Sequence, residues 1–165
     1  MQRITIHAQP FPKERLDEEL QRRSVAVNDY ARQFFAHAAF RTDEFPPEVR
    51  LALLPLRELG LPEGATLPEI FAQLPAFGLK PCRPAAGLFL RLGWPDQPES
   101  ANAVLTGTHR SPEGAVTVLS EPLEPDERFP KGLYLRKVEG VLWLRGYVCS
   151  DDHRWSPDDV FAFEV

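Results

Sequence analysis

LYLRKVEGVLWLRGYV, residues 133–148, is the stretch from which the fold of this chain is best predicted. Two apolar-rich runs flank Glu139 and Gly140. A glycine at the second position of a two-residue loop supplies the positive φ that a primed hairpin turn requires. The turn sets the following cross-strand pairs: Val138 with Val141, Arg136 with Trp143, and Tyr134 with Arg145.

Side chains alternate across a strand, so this hairpin has two different faces. One is apolar and is predicted to face the core: Leu133, Leu135, Leu142, Leu144 and Val148. The other is rich in aromatic and basic residues, and we call it the Arg/aromatic face: Tyr134, Arg136, Val138, Val141, Trp143, Arg145 and Tyr147. It is either a binding surface or the ordinary outside of a sheet.

Length and composition indicate one globular domain. The chain has 165 residues, 43% of them hydrophobic and 26% charged, which is close to the globular average. Its 17 prolines lie mostly between periodic segments and indicate many short elements joined by stiff turns.

The charge pattern disfavours a nucleic-acid partner. The net charge is −5; residues 1–60 carry nine basic and nine acidic side chains, and the remainder carries ten and fifteen. No basic block occurs that could follow a phosphate backbone.

Cysteine use and hydropathy predict a cytoplasmic protein that does not contact membranes. Cys82 and Cys149 lie far apart and outside any CxxC motif, which is typical of reduced thiols. The N-terminus lacks the apolar core of a signal peptide, and no apolar run approaches the ~20 residues that span a bilayer.

The first half of the chain is predicted to be mainly helical. After a short strand at residues 2–8, helical patterns cover 13–23, 24–39, 47–60 and 66–78. Thr66 is the predicted N-cap of the last of these, with Glu69 in its first turn.

The second half is predicted to be strands. Apolar residues alternate in GLFLRLGW at 87–94, and β-branched or apolar runs follow at 103–108, 115–120 and 160–165. The order of elements predicts an α+β fold, in which an N-terminal layer of about three helices packs on a mostly antiparallel C-terminal sheet with a central hairpin at 133–148. We expect a single domain over 1–165, with a helical part at about 13–78 and a β part at about 87–165.

The first candidate site is the Arg/aromatic face. Arginine stacks on aromatic rings and clamps carboxylates or phosphates, so Tyr134, Arg136, Trp143 and Arg145 are the predicted ligand-binding residues. They suit a small ligand that combines an anionic group with a flat ring, or a protein partner. The alternatives are cross-strand packing on an outer face, or cover by the helices.

The second candidate is the acidic segment 149–159, CSDDHRWSPDD, whose spacing matches no metal signature and is typical of a solvated turn. His109 lies in a polar loop and is best interpreted as exposed. No catalytic residue, metal site or cofactor is predicted, because the GxSxG elbow and the zinc and phosphate-loop motifs are missing from the sequence. A Ser-His-Asp group assembled from distant positions stays open, since triads are defined by geometry and not by order.

Three functional hypotheses follow. We expect an accessory or regulatory binding module that uses the Arg/aromatic face and has no enzymatic activity of its own. The second hypothesis is a small enzyme with a pocket between helices and sheet that uses His109 or Asp151–Asp159. The third is a self-associating subunit, because the terminal strand VFAFEV can serve as an exposed edge.

Overall fold

A mixed, curled seven-stranded sheet forms the centre of the protein, and helices pack on both of its faces. The structure is a computed structural model that describes residues 1–100 and 111–165. Within these residues the strands are β1 (Gln2–His7), β2 (Val25–Val27), β3 (Glu48–Pro55), β4 (Val116–Val118), β5 (Gly132–Val138), β6 (Val141–Tyr147) and β7 (Val160–Glu164). The α-helices in the same part of the chain are α1 (Leu16–Arg22), α2 (Asp29–Ala36), α3 (Leu67–Gln73) and α4 (Ala86–Gly93).

The strand order is β1-β3-β7-β4-β5-β6-β2. Four neighbouring pairs are antiparallel, but β4 runs parallel to β7 and β2 runs parallel to β6. The predicted α+β fold, with a helical layer on a mostly antiparallel C-terminal sheet, is therefore wrong. Strands β1, β2 and β3 come from the N-terminal third of the chain, and α4 lies where a strand was predicted.

The predicted helix at 47–60 is instead β3, followed by a short 3-10 turn at Leu56–Leu59. Residues Leu51, Ala52, Leu53 and Leu54 are all buried, because β3 lies between β1 and β7 and both faces of the sheet are covered. A continuous apolar run of this length fits a fully buried strand as well as a helix, so periodicity alone could not separate the two.

The predicted strand at 87–94 is instead α4. Its apolar residues satisfy helical spacing as well as alternation, and every residue from Ala86 to Arg91 is buried. The helix lies close to the sheet at Gly87, where an added Cβ would be 3.1 Å from Cβ of Leu133. An alanine at this position would therefore require Leu133 or α4 to shift by a few tenths of an ångström.

The hairpin of β5 and β6 has the predicted register. Tyr134 lies opposite Arg145, Arg136 opposite Trp143 and Val138 opposite Val141. Glu139 and Gly140 have φ values of 50° and 78°, as a primed two-residue turn requires. The hairpin is not central, however: the central strand is β4, and the hairpin lies toward the β2 edge.

The two faces of the sheet support two separate cores. On the first face, Leu133, Leu135 and Leu144 are buried beneath α1, α2 and α4. This confirms the inward direction of the predicted apolar face, although Leu142 and Val148 are only half-buried. On the second face, α3 and the loop around Trp155 cover the half of the sheet that carries these side chains: Ala52, Leu54, Phe161 and Phe163.

The C-terminal strand is an interior strand and not the predicted edge. β7 lies between β3 and β4, and Phe161, Ala162 and Phe163 are fully buried. Self-association through this strand loses its premise, because all its pairing groups face neighbours within the chain. No helix in residues 1–100 or 111–165 has the length and apolar character to cross a membrane. The strand predicted at 103–108 lies outside the described residues.

Candidate functional site

The hairpin brings the four predicted ligand-binding residues together on one face. Tyr134 and Arg145 form one directly opposed pair, and Arg136 and Trp143 form the next. All four side chains are half-buried. They lie on the face opposite the buried leucines, so α1, α2 and α4 do not cover them.

Arg145 is the residue of this group whose position is most informative. Its guanidinium carbon lies 5.0 Å from the centre of the Trp143 ring, which is a cation–π distance. Within the described part of the chain no carboxylate pairs with it, and its buried Nε has no hydrogen-bond partner. Among the described residues, the Arg145 charge is therefore supported by the Trp143 ring and is not neutralised by an acid.

Arg136 adds a second positive charge beside the first. Burial lowers the pKa of the Arg136 guanidinium below its ordinary value; the nearby Arg145 charge lowers it further, and Tyr134 opposes the shift. Two neighbouring guanidiniums at a half-buried surface favour an anion, because an anion would offset both their repulsion and their lost hydration.

A row of aromatic rings connects this face to the second core. The Tyr134 and Tyr147 ring centres are 6.4 Å apart, those of Tyr147 and Trp155 are 5.6 Å apart, and those of Trp155 and Phe161 are 5.2 Å apart. Rings at these distances pack favourably in tilted or edge-to-face geometry. The inner end of the Arg/aromatic face is thus anchored in rigid packing.

The acidic segment 149–159 does not form a site in the described residues. Asp159 is fully buried, where its Oδ1 accepts hydrogen bonds from the backbone N–H (3.2 Å) and hydroxyl (3.0 Å) of Ser111. Its Oδ2 accepts one from the backbone N–H of Ser156 at 2.9 Å. These contacts hold the loop in place, which is a structural role.

The other acidic side chains of this segment point to different partners. Asp158 forms an ion pair with Arg57, and Asp152 is exposed to solvent. Oδ1 of Asp151 lies 3.7 Å from Nζ of Lys131. His153 packs edge-on against Trp155. No group of three or more His, Cys, Asp or Glu that could hold a metal ion occurs in residues 1–100 and 111–165. His109, the other residue of the enzyme hypothesis, lies outside the described residues.

The structure contains a cavity of about 380 Å³ that was not predicted from the sequence. It lies where the end of β1, one side of α1 along its whole length and the C-terminal end of α4 meet, and Arg15, Arg22 and Arg23 line it. The sequence predicts a helix at 13–23, and its one local signal for a charged site is the placement of Glu19 between two arginines at helical spacing. The concave shape depends on α4, which was itself predicted wrongly.

The chain was compared with protein-family models, curated protein sequences and solved structures, and none of the three comparisons found a match. Functional residues are therefore assigned from their contacts, burial and charge. In the part of the chain that the structure describes, two surfaces qualify on those grounds: the Arg/aromatic face and the arginine-lined cavity.

Proposed function

We propose that this protein is a binding module, accessory or regulatory in role, with no chemistry of its own. Its Arg/aromatic face takes a small ligand that combines a flat ring with a carboxylate or phosphate. The observation that carries the proposal is Arg145, whose guanidinium lies over Trp143 and pairs with no carboxylate of the described residues.

The chemistry of such a ligand follows from the two kinds of side chain present. A guanidinium donates two parallel hydrogen bonds to a carboxylate or phosphate, and its plane also stacks on rings. Trp143 and Tyr134 offer apolar surface beside those donors, and both are half-buried. A ligand with an anionic group and a ring would use both features at once.

The face is also pre-organised for binding. The register of β5 and β6 fixes the spacing of the four side chains, and the ring of Trp143 restrains the position of Arg145. Side chains that are already ordered lose little entropy when a ligand binds.

A purely structural role would leave the same contacts without any ligand, since cross-strand Arg and aromatic pairs stabilise outer sheet faces. The two interpretations differ in one measurable respect. If the face binds a ligand, its NMR signals shift when a compound with a ring and an anionic group is added. If the face only packs, its signals change only when its residues are mutated.

The test is a titration of the full chain with benzoate, followed through the indole N–H signals in ¹⁵N–¹H spectra. The chain has three tryptophans, and the Trp143→Phe variant identifies the signal of Trp143. We expect benzoate to shift that signal. Benzyl alcohol, which lacks the negative charge, and acetate, which lacks the ring, should each shift it less.

Arg145→Gln should reduce the benzoate shift, and Arg32→Gln is the matched control. Arg32 is an exposed arginine on α2 that pairs with Asp17, so this variant removes the same charge elsewhere. If benzoate at millimolar concentration leaves the Trp143 signal unmoved, or if both variants behave alike, the proposal is wrong.

We further propose that the protein acts in the cytoplasm and does not use nucleic acid as a partner. Free thiols at both Cys82 and Cys149 support the first point, because reduced cysteines are usual in that compartment. The net charge of −5 supports the second. Fluorescence microscopy of a tagged full-length chain tests the compartment.

A further inference from the structure

The arginine-lined cavity lies on the other side of the sheet from the Arg/aromatic face. Its floor includes Phe11 and Phe89, which are both buried in the first core and have ring centres 5.6 Å apart. Its volume of about 380 Å³ falls within the range of small-molecule sites.

A buried carboxylate organises the charged side of the cavity. Glu19 is 6% exposed, and its oxygens accept hydrogen bonds from Nη2 of Arg15 at 3.0 Å and from Nη2 of Arg22 at 2.7 Å. A buried carboxylate held by two guanidiniums brings both cations to the same place and restricts their rotamers. Each guanidinium keeps further N–H donors that Glu19 does not use.

The third arginine is held by a neutral group. Nη1 of Arg23 donates a hydrogen bond to the backbone carbonyl of Leu92, at the end of α4, over 3.0 Å. This contact places Arg23 at the cavity without neutralising its charge. Arg23 therefore connects α1 to α4 across the cavity wall.

The lining carries an excess of positive charge. Among the described residues of the lining, three guanidiniums face one carboxylate, Glu19, which leaves two positive charges. Glu18 lies 3.8 Å from Nε of Arg15, but it is 69% exposed and does not line the cavity, so water screens it strongly. A dianion would balance the excess, and a singly charged carboxylate would balance only half of it.

We infer that this cavity binds a small organic phosphate monoester. Its phosphate, with a charge of about −1.5 to −2 at neutral pH, pairs with the free donors of Arg15, Arg22 and Arg23. Its organic part lies against Phe11 and Phe89. This inference does not depend on the function proposed for the Arg/aromatic face, because the two sites share no residue.

The test is a titration of the full chain with phenyl phosphate, measured by calorimetry and by shifts of the backbone amides of residues 7–23. We expect saturable binding with those shifts, and binding about tenfold weaker for benzoate, which has the same ring and one charge. The amides of residues 7–23 are distinct from the indole of Trp143, so failure at one site is separable from failure at the other.

Arg22→Gln and Arg23→Gln are the informative variants, because both residues are exposed. Arg23 binds a backbone carbonyl, and the buried Glu19 keeps Arg15 as a partner when Arg22 is replaced, so neither variant should unfold the chain. Each should weaken phenyl phosphate binding about tenfold, the usual effect of one charge-assisted hydrogen bond. Arg32→Gln is again the control and should leave the dissociation constant within about twofold.

Two results would overturn the inference. One is the absence of saturable binding at millimolar phenyl phosphate. The other is an equal loss of affinity in Arg22→Gln, Arg23→Gln and Arg32→Gln, since that outcome would indicate general attraction of an anion to surface arginines.

Discussion

The guanidinium of Arg145 lies over the indole ring of Trp143, two residues earlier on the same strand, with its central carbon 5.0 Å from the ring centre. Residues two apart on a strand share a face, so this contact needs no turn or tertiary partner. It uses the arginine charge without neutralising it. The Arg/aromatic face thus keeps a positive charge at the surface in a defined position.

This contact should give a measurable coupling between the two side chains. In a double-mutant cycle of Trp143→Ala and Arg145→Ala, unfolding in urea should show a coupling free energy of about 0.5–2 kcal/mol, the range of cation–π pairs from exposed to desolvated, because this pair is half-buried. The cycle of Val141→Ala with Arg145→Ala is the control, since Val141 has no ring and lies four residues away on β6. Equal coupling in both cycles would contradict a specific Arg145–Trp143 interaction.

Gly146 is required for the close packing of α2 on β6. A Cβ added there would lie 2.6 Å from the carbonyl carbon of Tyr30 and 2.7 Å from the backbone nitrogen of Ala31. Gly146→Ala should therefore lower the free energy of unfolding by about 1–3 kcal/mol, the usual cost of overpacking. Titration of both proteins with denaturant measures this difference in the free energy of unfolding.

Gly93→Ala is the matched control, because nothing lies within 4 Å of an added Cβ at that position on α4. It should leave stability unchanged or raise it by up to about 1 kcal/mol, since alanine favours helix. Similar losses in both variants would contradict the contact at Gly146.

Asn28 connects the start of α2 to β6. Its Oδ1 accepts hydrogen bonds from the backbone N–H of Ala31 (2.9 Å) and of Gly146 (2.8 Å), and its Nδ2 donates to the Gly146 carbonyl (3.1 Å). Asn28→Ala should cost about 2–3 kcal/mol, because it removes both the helix cap and the bridge.

Asn28→Ser separates these two contributions. Serine restores the helix cap but cannot reach both groups of Gly146, so the loss should fall to about 1–2 kcal/mol. Thermal and urea unfolding of the wild type, Asn28→Ala and Asn28→Ser measure the two losses in free energy of unfolding. A serine variant as stable as the wild type would show that the bridge to β6 contributes nothing.

Tyr147 should make the protein less stable in alkali. Burial raises the pKa of the Tyr147 hydroxyl well above its ordinary value, and the nearby Cys149 thiol adds to the shift. The unfolded chain loses this proton near pH 10 while the folded chain keeps it, so stability falls as the pH rises above about 10. The expected slope from this group is about 1.4 kcal/mol per pH unit.

Tyr147→Phe removes the titrating group and should lose stability less steeply between about pH 10 and 11. Urea unfolding at each pH measures the two slopes. Tyr30→Phe is the control, because Tyr30 is 40% exposed. Identical slopes for wild type and Tyr147→Phe would rule out a buried neutral hydroxyl.

The two thiols should differ in their reaction with a disulfide reagent. Burial raises the pKa of Cys149 to about 11, and burial raises the pKa of Cys82 well above its ordinary value. Only thiolates react, so Cys149 should react slowly at neutral pH and faster as the pH approaches 11. Cys82 is fully enclosed, and its Sγ donates a hydrogen bond to the carbonyl of Ala162 over 3.3 Å.

Cys82 should therefore react only when the chain unfolds. In Cys149→Ser the remaining reaction should increase with denaturant in parallel with unfolding. Two thiols that react at the same rate in the native protein would contradict this assignment.

The Arg/aromatic face could be predicted from the sequence because its geometry is local. The Glu139-Gly140 turn fixes the register, and the register together with strand alternation places Tyr134, Arg136, Trp143 and Arg145 on one side. The N-cap at Thr66 was predictable for the same reason. Its side chain accepts a hydrogen bond from the backbone N–H of Glu69, whose carboxylate accepts one from the backbone N–H of Thr66, so all partners lie within one helical turn.

The cavity and the sheet order were decided only by tertiary structure. The apolar runs of β3 and α4 fit both strand and helix periodicity, so their neighbours decide which structure forms. β1 and β7 provide backbone partners for β3, which is therefore a strand. α4 packs as a helix over β1, β5 and β6. Likewise, β7 became interior because β3 and β4 both pair with it. Arg15, Arg22 and Arg23 line a cavity only because α4 closes one side of it. Local pattern thus determined the turn and the face, and long-range packing determined which elements surround them.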